Sequence, residues 1–164
     1  MKLSIRQLTL NAMIAAIYVV MTIFLPSYSP LQLRLTEMFA HLPMFNKKYS
    51  IGLILGVAIA NIRSEFGIYD VVFGTLHTAL SLLIVFFIVK ETDSMMKKMV
   101  INTIVFTAMS FILALMVAFL TNEMAFFFGI YASFAASIAI VMFVTIPVIL
   151  FLDKQIHFDQ TMER

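Results

Sequence analysis

Four long stretches contain no lysine, arginine, aspartate or glutamate: residues 7–33, 71–89, 99–122 and 124–152. They constrain this chain more than any other feature. A helix needs about 20 predominantly apolar residues to cross a hydrocarbon core of roughly 30 Å, and each run is long enough. Only 12% of all residues are charged, whereas a soluble domain usually carries about a quarter. The outer surface must therefore meet lipid, and the expected fold is all-α, an integral membrane protein.

Residues 34–70 are less hydrophobic, and Pro43 and the Asn46-Lys47-Lys48 cluster divide them. Two short or tilted helices are expected there, at about residues 36–45 and 49–62. Both are shorter than a perpendicular span, so protein must partly shield them. With further helices at about 8–25, 68–89, 99–120 and 126–152, the chain reads as one domain, residues 1–164, of six transmembrane helices. Pro147 should kink or thin the last. The first run is too long for a signal-peptide core and no small-x-small cleavage site follows it, so it is expected to stay as a helix.

Positive charge tests this count, because cytoplasmic loops hold the excess of lysine and arginine. With both termini cytoplasmic, nine of the 11 basic residues fall inside; only Arg34 and Arg63 fall outside. Omitting either short helix would put the later loops on the wrong side. A multi-pass protein of the cell membrane follows. The net charge of +2 implies no nucleic-acid surface.

Helices in lipid associate largely by close approach through small side chains. Gly52, Gly56 and Ala60 form one such stripe, and Ala12 with Ala16 another. Internal packing is the ordinary explanation for each. Ala12 and Ala16 could instead dock a partner membrane subunit.

Ionisable and amide groups in apolar helices cost free energy, about 2.5–3.5 kcal/mol for a charge at a helix centre, so each must be explained. In the six-helix topology Glu37 begins the second helix, Asn61 ends the third and Asp70 begins the fourth. Three helices thus send polar groups to one outer level. Helical spacing extends the cluster inward, with His41 four residues after Glu37 and with Gly74, His77, Thr78 and Ser81 on the face of Asp70. Arg34 precedes Glu37 closely, and Tyr28 and Gln32 stand in the loop expected to cover the opening.

Each residue also has a plainer explanation. Glu37 and Asp70 suit helix N-termini, Asn61 suits a helix end, and Arg34 could merely pair with Glu37. His77 fits a hydrogen-bonded core histidine better than a metal ligand, and Glu65 and Glu123 read as solvated loop charges. Taken together the cluster is rich in acceptors and poor in cations. That suits a ligand with an ammonium group or with several N–H donors side by side, such as a guanine-like edge.

No phosphate-binding loop, H-E-x-x-H or G-x-S-x-G pattern occurs, so active import would need a separate motor. With no cysteine in the chain, thiolate sites are excluded, and no cofactor or metal is expected. Two other classes compete with a binding subunit. A small membrane metalloenzyme would use His77, Asp70 and Glu37. A structural or channel-forming protein would self-assemble through its alanine stripes.

The elements RLTE, FNKKY, LGVAIAN and GIYDVVFGTL, in this order between residues 33 and 78, resemble the QueT family of substrate-binding S components of energy-coupling-factor (ECF) transporters. The resemblance implies a six-helix protein that binds a queuosine precursor, an aminomethyl deazaguanine, at its outer side. Its implied partners are one transmembrane coupling subunit and two ATPases. Arg34, Glu37, Asn61 and Asp70 match family motif positions and would line the site; Ala12 and Ala16 look like the Ala-x-x-x-Ala docking motif. The chain departs from the pattern at Ala136-Ser137, where a Gly-Glu pair is common, and at His77, where a small residue is. A different vitamin-like ligand is the alternative this leaves. The expected substrate-binding residues are Arg34, Glu37, Asn61, Asp70, His77, Tyr28, Gln32 and Ser137.

Overall fold

The structure, a computed structural model, describes residues 3–24 and 34–163. Seven α-helices follow one another: α1 (Ile5–Phe24), α2 (Tyr49–Asn61), α3 (Ile68–Ile88), α4 (Met95–Met109), α5 (Phe111–Leu120), α6 (Phe127–Ile156) and α7 (Phe158–Glu163). A ten-residue 3-10 segment, Leu35–Met44, precedes α2, and shorter 3-10 turns flank α3 and α6. No strand occurs among the described residues.

Among the described residues four stretches are long and apolar enough to cross a membrane: Ile5–Phe24, Ile68–Glu91, Met95–Leu120 and Met124–Ile156. The third joins α4 and α5 across Ser110, whose hydroxyl donates to the Thr107 carbonyl at 2.7 Å. A serine bonding back into the preceding turn competes with the helical ladder and interrupts it locally. α4 starts earlier than the apolar run because Ser94 caps it, accepting from the Lys97 amide at 3.5 Å. α6 runs unbroken through Pro147.

The expected helix at residues 36–45 is the clearest departure. It is a 3-10 segment containing Pro43, with Ala40, His41 and Leu42 buried among the bundle helices. Two hydrogen bonds to neighbouring helices hold it. Asn102 of α4 donates to the Ala40 carbonyl at 2.9 Å, and the His41 ring bonds the Met142 carbonyl of α6 at 3.1 Å. Tertiary hydrogen bonds of this kind sustain a 3-10 run longer than the usual three or four residues.

α1 and α2 pack through the glycine stripe. Gly52 donates its amide to Asn11 Oδ1 at 2.7 Å, and any Cβ at Gly56 would approach Tyr18 Cβ to 2.9 Å. The buried face of α1 is Gln7, Asn11, Ala15 and Tyr18. Ala12 and Ala16 point the other way and are exposed.

At one end of the bundle α7 folds back over the helix ends. Tyr49 donates to the Phe158 carbonyl at 2.8 Å, and Gln7 Nε2 donates to the Met162 carbonyl at 3.0 Å. The Phe158 ring is wedged against Phe45 and Tyr49. This clamp leaves the opposite end, where α2 turns into α3, free to form a cavity.

Candidate functional site

The turn between α2 and α3 builds the rim of that cavity. Gly67 has φ +54° and ψ −117°, a conformation that a side chain would oppose, and it delivers the chain into α3. Three residues on, Asp70 Oδ2 accepts the Phe66 amide at 3.1 Å, closing the turn. One carboxylate oxygen thereby fixes the loop, and among the described residues no hydrogen bond engages the other.

Asn61, the last residue of α2, is held from both sides. Its Nδ2 donates to the Asp70 carbonyl at 3.1 Å, and its Oδ1 receives Arg34 Nη1 at 3.5 Å, the long limit of a hydrogen bond. Gly74, one turn below Asp70, makes room for the amide: a Cβ there would collide with Asn61 Nδ2. Among the described residues Arg34 makes no ion pair with Glu37; its polar contact is with Asn61.

These groups line one cavity of about 800 Å³, counting its open mouth. Arg34 enters just ahead of the 3-10 segment and Glu37 from within it, Asn61 from α2, and Asp70, Gly74, His77 and Thr78 from α3. Leu113, Met116 and Val117 of α5 and Phe134, Ser137 and Ile138 of α6 complete the far wall. All six of the expected substrate-binding residues that the structure describes therefore meet in one place. Tyr28 and Gln32 lie outside the described residues.

Four details differ from expectation. His41 does not share the cavity with Glu37: a 3-10 segment advances about 120° per residue, so four residues bring a side chain to a different face, whereas an α-helix returns it almost to the same one. His41 is fully buried and bonded to Met142 and Asn102. Ser81 continues the stripe below Thr78 but lies beyond the cavity, buried. Glu65, expected as a solvated loop charge, is exposed at the rim and joins the lining. Tyr18, overlooked in the sequence, contributes from α1. Its signal was there: Gln7, Asn11 and Tyr18 fall on one helical face of an otherwise apolar run.

His77 does two things. Its Nε2 bonds the Phe106 carbonyl at 3.1 Å and its ring meets Phe106 edge-on, which makes it a packed core histidine. It also forms part of the cavity floor. With that nitrogen turned towards Phe106 rather than towards the carboxylates, it is not presented with Asp70 and Glu37 as a metal-ligating set. Among the described residues no three histidine, aspartate or glutamate side chains converge to hold a metal.

Among the described residues the cavity therefore offers three carboxylates, an amide, two serines and a threonine against a single guanidinium, with the Tyr18, Phe66 and Phe134 rings among its walls. Such a surface accepts hydrogen bonds from an N–H-rich or cationic ligand and offers ring faces to a planar one.

Comparison with known proteins adds to this geometry. The family described as QueT transporter matches residues 8–154. Over 71 residues the chain is 41% identical to a protein of Lactococcus lactis subsp. cremoris (strain MG1363) named queuosine precursor transporter QueT. That match covers 41% of this chain and 41% of the relative's length. No solved structure matches.

Proposed function

The chain belongs to the QueT transporter family, and from that premise we propose that it is the substrate-binding S component of an ECF importer for a queuosine precursor, an aminomethyl deazaguanine. The four long spans, together with the 3-10 segment and α2, make six crossings with both termini in the cytoplasm. The cavity then opens to the outside. One transmembrane coupling subunit and two ATPases supply the drive, docking on the outward face that carries Ala12 and Ala16.

The observation that carries this reading is the meeting of Glu37, Asn61 and Asp70, from three separate elements, in one cavity. A guanine-like edge presents adjacent N–H donors, and a carboxylate can accept two of them side by side. The aminomethyl group is a cation at neutral pH and needs a second carboxylate. Glu37 and Asp70 take these two roles, Asn61 orients the ring edge, and Tyr18 and Phe134 flank the planar base. Ligand-loaded protein then tilts within the coupling complex to release its cargo inward.

Isothermal calorimetry of the purified chain with the aminomethyl deazaguanine tests the assignment. One-to-one binding is expected, weakened by Asp70→Ala roughly 10- to 150-fold, as loss of a charge-assisted hydrogen bond implies. Absence of binding overturns the ligand, and unchanged affinity in the variant overturns the role of Asp70. Co-purification with two ATPases and a coupling subunit checks the partners separately.

A further inference from the structure

The cavity described above uses one end of α3; the other end carries a second concavity. Its walls include Pro43, Phe45, Lys47, Phe86, Lys90 and Lys98, enclosing about 520 Å³ with its open side counted. The three lysines come from three elements: the turn after the 3-10 segment, the 3-10 turn that ends α3, and the start of α4. Lys47 Nζ lies 5.1 Å from the centre of the Phe86 ring. Among the described residues no carboxylate lines the concavity. Glu91 and Asp93 stand nearby in the chain, but both are exposed and outside it.

Three lysines lining one concavity over an apolar floor repel one another, and an anion placed among them relieves the repulsion. The position of the concavity identifies the anion's source. Lys90 follows Asp70 by 20 residues, which is roughly 30 Å along a helix at 1.5 Å per residue, the thickness of a hydrocarbon core. The lysines thus lie at headgroup level in the leaflet opposite the substrate cavity. Beside them α3 exposes Leu83, Ile84, Phe87 and Ile88, with Phe87 84% exposed. That face suits acyl chains.

We infer that this concavity binds the phosphate of an anionic phospholipid, with the lysines around the headgroup and the acyl chains along the exposed face of α3. On the topology proposed above this leaflet is the cytoplasmic one; the site itself does not depend on which ligand the outer cavity takes. A free inorganic phosphate shares the anionic chemistry but makes no use of the apolar floor or flank.

Native mass spectrometry of protein extracted from bilayers of phosphatidylcholine and phosphatidylglycerol tests the inference. Wild type is expected to retain one phosphatidylglycerol. The Lys47→Gln/Lys90→Gln/Lys98→Gln variant should retain it on the order of a hundredfold more weakly, at about 1 kcal/mol for each lysine near the surface. A control with equal charge loss outside the lining, Lys48→Gln/Lys97→Gln/Lys154→Gln, should behave as wild type. Equal loss in both variants overturns the site in favour of a diffuse basic surface, and no retention by wild type overturns it outright. Thermal stabilisation by inorganic phosphate equal to that by phosphatidylglycerol overturns the lipid assignment. Should the triple variant not fold, Lys47→Gln and Lys98→Gln alone should each weaken retention roughly fivefold. Deazaguanine affinity, measured on the same variants, is expected to be unchanged, so failure here and failure of the importer reading are told apart.

Discussion

Replacing Gly74 with alanine separates binding from folding. The new Cβ would meet Asn61 Nδ2, whereas Val57 Cγ1 at 3.8 Å is in ordinary contact. The obstructing atom is the end of a flexible side chain, so the amide can rotate away without moving backbone. That rotation forfeits its 3.1 Å bond to the Asp70 carbonyl, about 1 kcal/mol. Alanine in a helix interior recovers about 1 kcal/mol relative to glycine. The two effects nearly cancel, and thermal unfolding in detergent should shift little. Binding should not be spared: an amide rotated off its position no longer meets the ligand edge, which weakens affinity roughly five- to tenfold. Gly129→Ala is the control, since nothing lies within 4 Å of a Cβ there; it should gain helix stability and bind as wild type. Equal affinity of the two variants in calorimetry would refute a positioning role for Asn61.

Gly52→Ala presents the opposite case, because its Cβ would lie 2.6 Å from the Asn11 carbonyl oxygen and 2.9 Å from Asn11 Cα. Backbone cannot swing aside, so α1 and α2 must separate and the fold should lose about 1–3 kcal/mol; an unchanged melting temperature would contradict the packing described. Ala12→Leu with Ala16→Leu places larger side chains on an exposed face and should leave stability within about 0.5 kcal/mol. Co-purification with the ATPases should be lost, and its persistence would remove that face as the docking surface.

The membrane class was legible because it depends on counts: four uncharged runs cannot be hidden in a hydrated fold, and the sequence already marked Glu37, Asn61, Asp70 and His77 as polar groups needing an explanation. The short second element was legible in place but not in kind. Nothing in residues 35–44 requires ten residues of 3-10 helix; the bonds from Asn102 to Ala40 and from His41 to Met142 do. The 3-10 geometry, in turn, turned His41 into the core and away from Glu37.

Facing was the other unknown. In a soluble helix polarity marks the outer side, but in lipid both sides are largely apolar, so beyond the alignment of Gln7, Asn11 and Tyr18 nothing in α1 told that Ala15 would be buried while Ala12 and Ala16 faced outward. Burial there follows from where Gly52 and Gly56 let a neighbouring backbone come close. The sequence by itself determined that the chain lives in a membrane and which side chains are expensive to put there. Only the tertiary structure decided which of them share a cavity, because that depends on helix contacts between residues far apart in the chain.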